Sequence, residues 1–200
     1  MKKILFFGDS ITDAYRNYDD KNDLGKGFAY LLQKKYQQHY FINRGISGHK
    51  TSDLLDRFNE VLDEKIDVCF MFIGINDAWH PHLHQYPFDL KTFSKNYELL
   101  IQKLLAKQNT FKTYLILPHV FKLNYIDDPT FDDIMLMKQE SMKLAKAYGL
   151  ETLDLKPYLN KEKKTYKENE ILADGVHPTP KGYEIMFEAI DAFGMKHHIW

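Results

Sequence analysis

Short unbroken runs of apolar residues alternate along this chain with longer segments in which apolar residues recur every three or four positions. The runs Ile4-Leu5-Phe6-Phe7 and Val68-Cys69-Phe70-Met71-Phe72 contain no polar residue, the pattern of a strand covered on both faces. From such runs strands are expected at about 3–7, 40–44, 66–73, 111–117 and 150–154, and from the 3.6-residue periodicity helices at about 25–38, 51–63, 90–107, 130–148 and 180–192. Leu54, Leu55, Phe58 and Leu62 form the stripe of the second helix, which Thr51 or Ser52 caps, and Phe93, Tyr97, Leu100, Ile101, Leu104 and Leu105 form that of the third. Gly149 after Tyr148 suits a left-handed C-terminal cap of the fourth. Strand and helix alternating throughout predict an α/β fold: a five-stranded parallel sheet between two helical layers, a three-layer α/β/α sandwich. With 200 residues, no internal repeat and no linker, 1–200 is expected to be a single domain, long enough to bury roughly 70% of its unfolded surface.

Ligands of an open parallel sheet bind outside the carboxyl ends of its strands. Gly8-Asp9-Ser10 follows the first strand, where Gly8 permits a sharp turn and Ser10 stands at a helix N-terminus. Asn43-Arg44-Gly45-Ile46-Ser47-Gly48-His49 follows the second, and Gly74-Ile75-Asn76-Asp77 the third. Near the C-terminus, Asp174 and His177 lie three residues apart on one loop. That spacing lets Asp174 accept from Nδ1 of His177 and leaves Nε2 to take a proton from a serine. Each piece also has a plainer reading. Gly-Asp-Ser is ordinary turn chemistry, Asn76 beside Asp77 suits a loop cap, and Gly48 a positive φ. Gly45 competes with Gly48, and Asp9 and Asp77 read first as turn-locking carboxylates. Ser47 is a rival serine, but Gly-Ile-Ser-Gly is not the G-x-S-x-G elbow.

Taken in order, the four segments resemble those of the SGNH hydrolases, the GDSL esterase/lipase superfamily, from the first strand to the last helix. The leucine of the GDSL name is Ile11 here. The resemblance implies the SGNH hydrolase fold, similar to flavodoxin-like folds, and a serine esterase that needs no metal or organic cofactor. It implies Ser10 as nucleophile, His177 as base and Asp174 as its orienting acid. The backbone N–H groups of Ser10 and Gly48 and the side-chain amide of Asn76 would then form the oxyanion hole. Esterase, carbohydrate acetylesterase, thioesterase and lysophospholipase activities all occur under this resemblance. Short acyl groups are favoured, since little is inserted between the core elements to build a lipid groove. Asp9, Trp79, Phe121 in the loop 119–126, and Val176 are the candidate substrate contacts. The reading from another class is a non-catalytic module that holds a phosphate or nucleotide. Against it, the chain has neither a Gly-rich phosphate loop with its lysine nor G-x-G-x-x-G.

Twenty-seven basic and twenty-eight acidic residues, interspersed to a formal net charge of -1, leave no electrostatic footprint for nucleic acid or an anionic membrane. The expected partner is a small-molecule ester, with a homo-oligomer left open. Only four apolar residues follow Lys2-Lys3 before Gly8, too few for a secretory signal, and no run approaches membrane-spanning length. A cytoplasmic protein is expected. The single cysteine, Cys69, sits inside an apolar run and reads as core packing. His80, His82 and His84 alternate, and in an extended strand they would share one side as zinc or nickel ligands. No cysteine or well-placed carboxylate completes that set, so a loop at the site mouth, with no metal, is the favoured reading.

Overall fold

The computed structural model describes residues 1–63, 65–107, 110–123 and 126–200, without the side chains of residues 62 and 63. The expected stripe residue Leu62, and Asn124 and Tyr125 of the loop that carries Phe121, therefore lie outside the described side chains. Five strands, β1 (Lys3–Gly8), β2 (Tyr40–Gly45), β3 (Val68–Phe72), β4 (Lys112–Leu117) and β5 (Thr152–Asp154), form one sheet in the order β2-β1-β3-β4-β5. Every pairing is parallel. This is the three-layer α/β/α sandwich with a five-stranded parallel sheet that the apolar runs predict.

One face of the sheet carries a cross-strand aromatic ladder, Phe41, Phe6, Phe70 and Tyr114, whose neighbouring rings lie 5.2–6.4 Å apart. Helices α2 (Phe28–Lys35) and α10 (Pro180–Lys196) cover it, Phe28 edge-on to Phe6 and Phe193 edge-on to Phe70. The layer containing α3 (Thr51–Asp56), α5 (Ile75–Leu83), α6 (Leu90–Leu105) and α7 (Asp128–Ala147) packs as a contiguous set. The register sets Gly8 beside both Gly45 and Phe72, so the carboxyl ends of β2, β1 and β3 finish level. Side chains have no room there. A Cβ on Gly8 would lie 2.3 Å from the Phe72 carbonyl oxygen, and one on Gly45 2.1 Å from the Asp13 nitrogen.

Three segments differ from the periodicity reading. The helix expected over 51–63 is broken into α3 and α4 (Asn59–Asp63), because Arg57 between them turns inward to donate to the Gly8 and Arg44 carbonyls at 2.9 Å each. The histidine-rich segment is neither loop nor strand but helix α5, with Pro81 inside it. Proline there has no N–H to donate to the carbonyl of Asp77, four residues back. Finally, α8 (Lys156–Glu162) and α9 (Glu168–Ile171) occupy a stretch where no element is expected. Cys69 is fully buried, and burial pushes its thiol up. No helix among the described residues is long and apolar enough to cross a membrane.

Candidate active site

The one-turn helix α1 (Ser10–Asp13) begins directly beyond β1. Asp9 caps it, accepting from the Ile11 N–H at 3.0 Å. At the other end the buried amide of Asn43 donates to the carbonyls of Thr12 at 2.7 Å and Leu24 at 2.9 Å. A helix this short has no cooperative stability of its own, so these side chains hold Ser10 in place. The loop of Asp174 and His177 is clamped equally firmly. Ala173 N–H donates to the His177 carbonyl at 2.8 Å, and Phe121 N–H to the Gly175 carbonyl at 2.9 Å. Gly175 itself has φ +95° and meets the Phe121 carbonyl so closely that a Cβ would lie 2.5 Å from it.

These two supports bring Ser10 Oγ to 3.1 Å from Nε2 of His177, and Nδ1 of His177 to 2.7 Å from Oδ2 of Asp174. Burial pushes the Asp174 carboxyl up, but the hydrogen bonds from the His177 ring and from the His177 and Val176 backbone N–H groups outweigh it and hold the group at about 2. Ionised, Asp174 only accepts, so Nδ1 carries the ring proton and Nε2 is left to accept from the Ser10 hydroxyl. The same contact with Asp174, against partial burial, raises the His177 pKa.

The Ser10 and Gly48 N–H groups make no hydrogen bond among the described residues. Gly48 has φ +80°, and a Cβ there would meet nothing nearer than His80 Cε1 at 3.9 Å, so conformation rather than crowding calls for glycine. Gly45 drops out as a donor, because its N–H is bound to Asn43 Oδ1 at 2.8 Å. Asn76, in the first turn of α5, donates one amide hydrogen to the His49 carbonyl at 2.9 Å. Asp77 accepts from the N–H and hydroxyl of Thr51 at 2.9 and 2.5 Å, which pins the start of α3.

Of the candidate substrate contacts, Asp9 is 1% exposed and its second oxygen has no hydrogen-bond partner among the described residues. Burial raises its pKa to about 7. Trp79 is buried, with its ring centroid 5.5 Å from that of His177. Phe121 and Val176 are buried too, and reach the rim through their backbones. The cavity at Ser10 has a volume of about 290 Å³ and is lined by Asp13, Tyr15, Ser47, Ala173, Asp174, His177, Pro178 and Tyr183. The shared side expected of the three histidines does not exist. On a helix, alternate positions point about 200° apart, so His80 and His84 lie together, their centroids 6.0 Å apart, while His82 turns away to Asp133 at 2.8 Å. Among the described residues no three His, Cys, Asp or Glu side chains converge as a metal site.

Sequence reasoning missed Arg57. Besides the Gly8 and Arg44 carbonyls, its Nε donates to His49 Nδ1 at 3.1 Å, and Glu60 balances its charge at 3.0 Å. One half-buried side chain thus ties the ends of β1 and β2 to the loop bearing Gly48. Its only sequence signal was a lone arginine inside an otherwise helical pattern.

The GDSL-like lipase/acylhydrolase family model matches residues 6–185. The chain belongs to this family. It is 30% identical over 203 residues to an acetylxylan esterase of Geobacillus stearothermophilus, covering 94% of this chain and 91% of that enzyme. The solved structure of that organism's acetylxylan esterase Axe2 superposes with a TM-score of 0.80 at 27% identity, over 94% of this chain and 92% of the other. LAE5, an alpha/beta hydrolase from the metagenome of Lake Arreo, Spain, superposes with a TM-score of 0.82 at 25% identity, over 96% and 94%. Variants of Axe2 described as catalytic mutants carry alanine in place of a serine, an aspartate and a histidine. Family membership and these relatives make this GDSL-like protein a carboxylic ester hydrolase.

Proposed function

We propose that the protein hydrolyses small carboxylic esters with short acyl groups, including acetyl groups on carbohydrate, through an acyl-enzyme on Ser10. The observation that carries this reading is the continuous relay from Ser10 Oγ to His177 Nε2 at 3.1 Å and from His177 Nδ1 to Asp174 at 2.7 Å. Ser10 Oγ attacks the ester carbonyl while His177 Nε2 takes its proton. Negative charge then develops on the carbonyl oxygen, where the N–H groups of Ser10 and Gly48 and the second amide hydrogen of Asn76 are available. The imidazolium, stabilised by Asp174, returns its proton to the departing alkoxide. A water molecule, deprotonated by His177, attacks the acyl carbon and restores Ser10. The cavity of about 290 Å³ at Ser10 is at the small end of ligand sites and supports a small ester. The acetylxylan esterase relative supports the carbohydrate alcohol.

The test is covalent. A fluorophosphonate should add once, at Ser10, and Ser10→Ala should lose turnover of acetate esters. An adduct mapped to Ser47, or full activity in Ser10→Ala, would overturn the mechanism.

A further inference from the structure

Tyr15 stands in an unusual position. It is 79% exposed, yet it and the preceding Ala14 both adopt the left-handed backbone region, with φ +62° and +52°. Two consecutive non-glycine residues there carry strain, most of all the bulky tyrosine. The turn is not loose. Ala14 is buried, its carbonyl accepts from the Lys26 N–H at 2.7 Å, and Gly25, at φ +71°, presses against it so closely that a Cβ would lie 2.6 Å from that oxygen. Folding therefore stabilises a strained turn whose visible product is an aromatic ring held out into solvent.

Tyr15 and Tyr183 line two cavities in common. One is the cavity at Ser10 and His177. The other, of about 410 Å³, adds Tyr30, Asp23, Lys26 and Glu184. Its volume falls within the roughly 300–1,000 Å³ of small-molecule sites. His177 must protonate the leaving alkoxide, so the alcohol half of the ester lies on the His177 flank. Pro178, Tyr183 and Tyr15 line the cavity together with His177, and neither Asn76 nor Gly48 is among its lining residues. An alcohol extended from Ser10 in this direction crosses the Tyr15 ring into the larger cavity. Three tyrosines and three charged side chains in one cavity match a ring that is apolar on its C–H face and hydroxylated at its rim. They do not match an aliphatic chain, which would desolvate Asp23, Lys26 and Glu184 without partnering them.

We infer that Tyr15 is the alcohol-side specificity residue, the platform on which the sugar of an acetylated carbohydrate lies while the acyl carbon is held at Ser10. This rests on the Ser10 mechanism proposed above. The readout is a ratio, kcat/KM for a monoacetylated methyl β-xyloside divided by kcat/KM for methyl acetate. Tyr15→Ala and Tyr15→Gly should lower that ratio about 5- to 10-fold, through KM of the sugar ester, and Tyr15→Trp should preserve it. Tyr15→Gly should also raise Tm, since glycine relieves the positive φ. A tyrosine with only a structural role would instead lower Tm on removal and leave the ratio alone. A ratio insensitive to both truncations, in enzyme that still cleaves both esters, overturns the inference and leaves the Ser10 mechanism standing. Wild-type protein that cleaves neither ester overturns both.

Discussion

One amide hydrogen of Asn76 is bound to the His49 carbonyl at 2.9 Å, and this contact ties the first turn of α5 to the loop that carries Gly48. The amide nitrogen has two hydrogens, so anchoring with one orients the other. Asn76→Ala is expected to lower kcat by about 10²- to 10³-fold, with a much smaller change in KM, since the lost donor acts where charge develops in the transition state. Circular dichroism melting and fluorophosphonate labelling of Ser10 should show a folded protein with an accessible nucleophile. Wild-type kcat in such a variant would leave the oxyanion to the backbone donors alone.

The pH profile has a defined sign. His177 must be neutral to accept the Ser10 proton, and the Asp174 carboxylate, which favours imidazolium, raises the His177 pKa above its ordinary 6.5. kcat/KM should therefore fall as pH drops through a midpoint above 6.5. Asp174→Asn should move that midpoint down and reduce kcat on the order of 10⁴-fold, as expected when the partner that fixes the tautomer is lost. A midpoint unmoved by Asp174→Asn would separate the profile from this pair.

Arg57 touches no reacting atom, but its loss should be felt at Ser10. Arg57→Met leaves the carbonyls of Gly8 and Arg44 and Nδ1 of His49 without their donor. We expect a destabilisation of about 2–3 kcal/mol, read by urea unfolding, with slower labelling of Ser10 below the melting range. Arg57→Lys should recover part of the stability and less of the rate, because an ammonium cannot span the three acceptors as the planar guanidinium does. Labelling at the wild-type rate would confine Arg57 to stability.

Asp9 should make stability fall as pH rises. Its pKa is raised by burial from 3.8 to about 7. The neutral carboxyl is therefore the form the fold prefers, and its contribution is present below about pH 4 and lost as pH rises through 7. Asp9→Asn keeps a carbonyl oxygen to accept from the Ile11 N–H. The difference in Tm between Asp9→Asn and wild type should shift in favour of the variant between pH 4 and pH 8. A difference independent of pH would show that Asp9 does not titrate in this range.

What the sequence shows of this fold and what it hides have separate physical causes. The strands are legible because a parallel sheet covered on both faces leaves no polar position to interrupt runs such as Ile4 to Phe7. The relay is legible because Asp174 and His177 are neighbours on one loop, so their meeting depends on local geometry. Helix α5 is not. Its histidines alternate and so imitate a strand's period of two, while Pro81 argues against a helix. What makes this segment helical is the burial of Ile75, Ala78 and Trp79, which recur at helical spacing. The break at Arg57 was equally hidden, since its cause is two carbonyls at the ends of strands whose adjacency exists only in the folded sheet. The cavity of about 410 Å³ lined by Tyr15 was hidden for the same reason, because Tyr15 and Glu184 are far apart in sequence.

Ser10 and His177 are separated by 167 positions along the chain. During synthesis the nucleophile is therefore made long before its base, which comes just ahead of the helix α10 that packs against α2. A partly synthesised chain holds an ordinary serine hydroxyl, with no imidazole to take its proton. Domains tend to fold as units once their sequence is available, so chemical competence should appear only when the His177 loop and helix α10 dock. Reactivity at Ser10 is in that sense a built-in reporter of completed folding, and a pulse of fluorophosphonate during refolding would time the closure of the sandwich.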